Sequence, residues 1–154
     1  MIRILWPKQV LRNIKYGGVA MQKLSIIEGI GDTYEKKLKV AGITRVEELL
    51  EACATKKGRT ELAGKTGIAE KLILKWTNHA DLIRVKGIGG EYAELLEAAG
   101  VDSVAELAKR KPDNLIEKVT EANKTKKVVR KIPTLKQIED WVKQASELPR
   151  AIHY

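Results

Sequence analysis

Lys86-Gly87-Ile88-Gly89-Gly90 is the stretch of this chain best suited to chemistry. Two glycines separated by one apolar residue let a backbone reverse tightly, because glycine accepts angles that side chains forbid. If a helix follows, its first N–H groups have no partner inside the helix and face outward, where a phosphate oxygen can accept them. The helix dipole adds partial positive charge at the same point, and Lys86 supplies a full one. Anion binding by backbone amides is therefore expected at Lys86, Gly87, Ile88, Gly89 and Gly90. The related corner Gly29-Ile30-Gly31 is flanked by Glu28 and Asp32, whose carboxylates repel an anion, and Asp32 is expected to N-cap its own helix. A runner-up is Gly64-Lys65-Thr66-Gly67, taken as a glycine turn in which Gly64 shapes the backbone and Lys65 carries the charge. A nucleotide-binding loop is not expected there, since the earlier glycine and the strand are missing.

The elements that must position these corners are written twice. Leu24 to Leu49 returns 58 residues later as Leu82 to Leu107, pairing Gly29/Gly87, Ile30/Ile88, Gly31/Gly89, Tyr34/Tyr92, Leu38/Leu96, Gly42/Gly100 and Val46/Val104. Glycines and apolar positions dominate those pairs, so a backbone shape and a buried face recur. Tyr34, Leu38 and Ala41 fall at i, i+4 and i+7, as do Tyr92, Leu96 and Ala99, the spacing of one helical face. Gly42 and Gly100 stand where those helices end. Thr44 with Glu47 reads as a capping box, and Asp102 holds the paired N-cap position, so helices are predicted over about Arg45 to Cys53 and Ser103 to Lys109. An offset of 65 then pairs Lys71/Lys136, Ile73/Ile138, Trp76/Trp141 and Ala80/Ala145, so each copy ends in a helix with one tryptophan. Thr134 and Gln137 form another predicted capping box. The fold expected is all-α, two similar halves in one compact unit, each made of two helical hairpins. The first half spans 21 to 81 and the second 82 to 149, with a short tail over 150 to 154. Asn78-His79-Ala80-Asp81 at the joint lacks the composition of a flexible linker.

One Cys gives no disulfide framework, and no apolar run is long enough to span a bilayer. A reducing, cytoplasmic setting is expected. Residues 1 to 20 lie outside the repeat and hold Arg3, Lys8, Arg12 and Lys15 without an acid. Pro7 and Lys8 interrupt any secretory core; a mitochondrial presequence lacks its usual serines. In codons, Gly17-Gly18-Val19-Ala20-Met21 accommodates GGAGG shortly before ATG, which matches a bacterial ribosome-binding site, so Met21 is the expected start and residues 1 to 20 a translated leader.

Charge narrows the partner. The chain carries 29 basic and 20 acidic residues, and without the leader 25 basic residues remain against 20. Such an excess is a solvated surface unless it clusters. It clusters at Lys124, Lys126, Lys127, Arg130 and Lys131, and a group of Lys56, Lys57, Arg59 and Lys65 is read as its counterpart in the first copy. Both suit phosphate contact or plain solubility. Cys53 reads as a small core residue, with no His or second Cys at metal-ligand spacing. His79 and His153 are isolated, and Glu48 and Glu106 read as exposed helix residues. Trp76 and Trp141 have the chemistry to stack on bases, but their place on Ile- and Leu-rich helices points to packing. Tyr34 and Tyr92 are expected to cover the hairpins. No paired acids, activated nucleophile or metal cluster emerges, so no enzyme, catalytic residue, metal, cofactor or small-molecule substrate is expected.

The pattern Ile27-Glu28-Gly29-Ile30-Gly31 and Val85-Lys86-Gly87-Ile88-Gly89, an apolar residue and then Gly-apolar-Gly leading into a helix, resembles the helix-hairpin-helix motif. With the following Tyr, Leu, Ala-Gly-Ile or Ala-Gly-Val, capped helix and Trp helix, nearly all of Leu24 to Leu148 resembles an uncharacterised domain-of-unknown-function family of stand-alone tandem helix-hairpin-helix proteins. Each half is similar, more distantly, to the C-terminal domain of the bacterial RNA polymerase alpha subunit. The resemblance implies a fold and a nucleic-acid partner, not a catalytic activity. Glycosylases with this motif carry a catalytic Lys; here Gly90 and Glu91 follow the hairpin instead. Two readings stand: a non-enzymatic, sequence-independent binder of DNA, or of RNA, through Gly87 to Gly90, Lys86 and the Lys124 to Lys131 cluster; or a protein-interaction adaptor without a nucleic-acid role. Amino-terminal sequencing of the native protein is expected to begin at Met21, and a start at Met1 or Ile2 overturns the leader reading.

Overall fold

The computed structural model describes residues 22–154; the leader assigned to residues 1 to 20 lies outside them. Among the described residues the architecture is all-α. A 3-10 turn at Leu24–Ile26 precedes eight α-helices: α1 (Asp32–Val40), α2 (Val46–Ala52), α3 (Lys56–Thr66), α4 (Glu70–Leu82), α5 (Gly90–Ala98), α6 (Val104–Ala108), α7 (Pro112–Lys126) and α8 (Leu135–Glu147). Packing follows the sequence repeat. Helix α1 lies on α3, α2 on α4 and α3 on α4, while α5 lies on α7, α6 on α8 and α7 on α8. Helices α4 and α5 join the two sets.

Each glycine corner sits on its own tryptophan. Gly29 and Gly87 adopt φ of 94° and 102°, angles that an L side chain rarely takes. A β-carbon added at Gly87 would stand 2.8 Å from Trp141 Nε1, and one at Gly29 would stand 3.4 Å from Trp76 Nε1. Both indoles are buried. Tyr34 meets Trp76 edge-on at 5.0 Å, and Tyr92 meets Trp141 at 5.2 Å. The tyrosines thus pack against the indoles beneath the corners, a preferred arrangement of ring quadrupoles.

Helix starts depart from the sequence reading by one residue. The N-cap of α2 is Arg45, not Thr44, and no side chain caps it. Thr44 instead donates its N–H and hydroxyl to Glu48, at 3.1 and 2.6 Å. Ser103, not Asp102, caps α6 by accepting from the Glu106 N–H, and the Asp102 N–H donates to the Glu106 carboxylate. Glu48 and Glu106 are therefore turn-closing acceptors four residues beyond their donors. Asp32 is the first residue of α1, whose N-cap is Gly31. At Arg45 and Ser103 the chain stays extended for one residue more than the spacing suggested, whereas α1 begins one residue earlier, with Gly31 as the extended cap. The Thr134 and Gln137 capping box at α8 is present as expected.

The joint between the halves is the longest continuous buried stretch among the described residues. Every residue from Trp76 to Val85 is buried, including His79, Asp81 and Arg84. Asp81 accepts from Arg84 Nη1 at 2.8 Å, and from the first amide of α6, that of Val104, at 2.8 Å. Arg84 also donates to the Pro149 carbonyl. His79 Nε2 lies 2.8 Å from a Glu97 carboxylate oxygen, tying α4 to α5. Residues 150 to 154, expected to be a tail, fold back over the first half. Ile152 is buried, the His153 N–H donates to the Ala54 carbonyl at 2.7 Å, and the Tyr154 hydroxyl donates to Asn78 Oδ1 at 2.7 Å.

Gly90 and Gly64 separate two uses of glycine. A β-carbon at Gly90 would collide with the Ile26 carbonyl, where α5 abuts the entry to the first half. One at Gly64 would meet nothing within 4 Å. Gly90→Ala is expected to lower the unfolding free energy by about 1–3 kcal/mol through overpacking, whereas Gly64→Ala should raise it by roughly 0.5–1 kcal/mol through helix propensity. Urea unfolding of the two variants distinguishes these signs.

Candidate nucleic-acid interface

Two segments far apart in sequence meet at the start of α5. Glu91 and Tyr92 from its first turn, with Lys127, Val128, Val129, Arg130 and Lys131 from the α7–α8 connection, line one groove of about 650 Å³. Helix α7 ends because Lys127 takes a left-handed conformation, φ 49°, and its N–H returns to the Asn123 carbonyl. Asn123 then clamps the connection: its side-chain amide donates to the Val129 carbonyl at 2.9 Å and accepts from the Val129 N–H at 3.0 Å. The Tyr92 hydroxyl donates to the Lys131 carbonyl at 3.3 Å. These bonds fix the backbone of the basic connection and leave Lys127, Arg130 and Lys131 exposed. Lys124 and Lys126 are exposed in the last turn of α7, where cations complement the dipole.

The corner itself divides its labour. Gly87 and Gly89 are exposed, and Gly89 is the N-cap of α5, where among the described residues no side-chain cap bond is made. Ile88 is buried and its N–H donates to the Val85 carbonyl, so it belongs to the core and offers no amide to a ligand. Lys86 is exposed, but its peptide is held at both ends by Gln144: its N–H donates to Gln144 Oε1 at 2.9 Å and its carbonyl accepts from Gln144 Nε2 at 3.0 Å. Only the Lys86 ammonium remains available. Gly90 is half-buried against Ile26, as described above. The anion-facing part of this segment is thereby reduced to Gly89, the first turn of α5 and the Lys86 side chain.

Other sequence candidates are placed elsewhere. Gly64 and Lys65 are not in a glycine turn: they belong to the last turn of α3, and Gly67, φ 74°, is its left-handed cap. A helix C-terminus presents carbonyls and partial negative charge, the wrong polarity for a phosphate. Lys56, Lys57, Arg59 and Lys65 do not form a counterpart of the Lys124 to Lys131 cluster. Lys56 and Lys57 open α3 while Lys65 closes it, and Arg59 is buried, donating to the carbonyls of Cys53 at 2.9 Å and His153 at 3.4 Å. Sequence reading also missed Asn123 and Gln144, because an amide's role as a clamp depends on a partner that no spacing identifies.

The family model described as domain of unknown function, DUF4332, matches residues 28–148. The chain belongs to the DUF4332 family. No curated protein and no solved structure matches it. The match runs from the first glycine corner through the end of α8, so the groove, both corners and both tryptophans of this DUF4332 protein lie within it. No helix among the described residues is long and apolar enough to cross a membrane.

Cys53 is buried beside Arg59, and burial pushes its thiol up to about 12, with Thr77 and Arg59 only partly opposing the shift. A thiol held protonated is a poor nucleophile. Cys53 is expected to resist iodoacetamide at pH 8 in the folded protein and to react fully in denaturant, as read by intact mass.

Proposed function

We propose that this protein binds nucleic acid, DNA foremost, without catalysis and without reading sequence, by gripping the sugar-phosphate backbone at the α5 groove. The observation that carries this reading is the convergence of the first turn of α5 with Lys127, Arg130 and Lys131 in one concavity. A phosphate there meets amides that have no acceptor within their helix and flanking cations whose backbone is held by Asn123 and Tyr92. Glu91 also lines the groove, and its carboxylate opposes an anion there. On this reading the two glycine corners are helix-hairpin-helix motifs of unequal use. The first, between Glu28 and Asp32, repels phosphate and serves as structure; the second, beside Lys86, is the contact.

Contacts of this kind release counterions, so binding is independent of sequence and weakens steeply with salt, at roughly 10⁻⁴ to 10⁻⁶ M near physiological ionic strength. Replacing Lys127, Arg130 and Lys131 together by Glu should weaken binding of a labelled duplex at low salt by at least about tenfold. Fluorescence anisotropy reads the effect, with Glu28→Gln as the control that leaves binding in place. Unchanged affinity in the triple variant, with its fold intact by circular dichroism, removes the groove from the interface. Retention of a specific protein partner after nuclease digestion, with no affinity for DNA or RNA, replaces this reading by that of an adaptor.

A further inference from the structure

A second basic concavity lies at the other end of the same helix pair. Lys109, Arg110, Lys111 and Lys118, with Asn114 and Glu117, line a groove of about 440 Å³ where α6 leads into α7. Leu115 completes the lining, so four of the seven side chains are cationic and one is acidic. Arg110 is anchored, its Nη2 donating to the Gly100 carbonyl at 2.9 Å at the end of α5. Gly100 follows the end of α5, Arg110 stands just before α7, and Tyr92 near the start of α5 bonds Lys131 beyond the end of α7. The two helices therefore run antiparallel, with one basic groove at each end.

The matching connection in the first half is closed. There the α2–α3 link accepts the chain's own last residues: His153 bonds Ala54, and Arg59 spends its guanidinium on the Cys53 and His153 carbonyls. In the second half the corresponding link carries Lys109, Arg110 and Lys111, with Lys109 and Lys111 exposed. Along α7, Lys111, Lys118 and Thr125 step by seven residues on one face, while Asp113, Glu117 and Glu121 step by four along a neighbouring one. A backbone laid along the first face passes from one groove to the other with Glu117 of the acidic row beside Lys118 in the second groove.

We propose that this groove is a second phosphate-backbone contact, so that the ligand is a nucleic-acid duplex long enough to span α7 and not a short fragment. The inference rests on the function proposed above. The fifteen residues of α7 extend about 22 Å. At about 3.4 Å of axis per base pair, the two grooves are separated by roughly six base pairs. A duplex of four base pairs fills one groove, and one of sixteen fills both.

The test uses the full chain, hairpin-capped duplexes of four and sixteen base pairs, and the variant Lys109→Glu/Lys111→Glu/Lys118→Glu, leaving Arg110 to its Gly100 bond. Anisotropy is measured across a salt series. The slope of log affinity against log salt decides the matter, because a longer duplex also offers more binding registers. For the unaltered protein the slope should be steeper with sixteen base pairs than with four by about 2, or roughly 0.9 per added phosphate. In the variant the long duplex should lose about tenfold in affinity and fall to the shallower slope, while the short duplex binds as before. An unchanged slope on the long duplex overturns the second contact and leaves the α5 groove standing. Equal loss on both lengths overturns the spanning geometry. Failure of the unaltered protein to bind either duplex overturns both the earlier reading and this one. A urea midpoint for the variant equal to that of the unaltered protein establishes that the comparison is between folded molecules.

Discussion

A backbone corner resting on an indole is the constraint from which the rest of this structure follows. At Gly87 the chain comes so near Trp141 Nε1 that a β-carbon has no room, and its positive φ excludes most side chains independently. The contact fixes where α5 begins relative to α8. It also sets the direction of the first α5 amides, and it brings Tyr92 over the indole with its hydroxyl on Lys131. Fold and candidate site are thus settled by one packing event. The copy at Gly29 and Trp76 does the same for α1 and α4 with a looser approach of 3.4 Å.

The two sets of helices pack in the same order, and the joint between them is buried throughout. A buried ion pair is costly unless its remaining hydrogen-bonding groups are satisfied. Asp81 meets that condition by accepting from both Arg84 and the opening amide of α6. Burial raises the Asp81 pKa, and the adjoining Arg84 charge opposes that rise. Arg84 in turn holds the Pro149 carbonyl, from which the chain continues across the first half. One pair therefore gathers the end of α4, the start of α6 and the C-terminal segment, which explains why so polar a stretch as Thr77-Asn78-His79-Ala80-Asp81 is enclosed. The halves differ in what covers them: the final residues lie on the α2–α3 link, where His153 bonds Ala54, and not on its partner in the second half.

The proposed interface draws on that asymmetry. In the first half Arg59 is buried, while in the second half Lys127, Arg130 and Lys131 line a groove at one end of the α5–α7 pair and Lys109, Arg110, Lys111 and Lys118 one at the other. Apolar positions paired in the sequence, such as Ile30/Ile88, Leu38/Leu96 and Trp76/Trp141, are buried in both sets of helices. The sets diverge where charge meets solvent, since exposed positions are free to change without disturbing the core.

Much of the molecule was legible in the residues alone. The paired Gly-Ile-Gly corners, the tyrosine, leucine and alanine at helical spacing and the tryptophans at matched positions determined the all-α class and most helix spans, because periodic burial and glycine backbone freedom are local properties. They also marked Lys124 to Lys131 as a cluster. Local signals erred where a neighbour decided. Gly64 and Lys65 became the end of α3 because the helix found a cap at Gly67; Ile88 went to the core because its side chain had one to enter; Arg59 was buried because carbonyls from residues 53 and 153 were there to receive it. The meeting of the α5 start with the α7–α8 connection, the clamps made by Asn123 and Gln144, and the groove at Lys109 to Lys118 were decided by tertiary structure alone. Each depends on a distance between segments remote in sequence, and spacing along a chain carries no information about that distance until the core has closed.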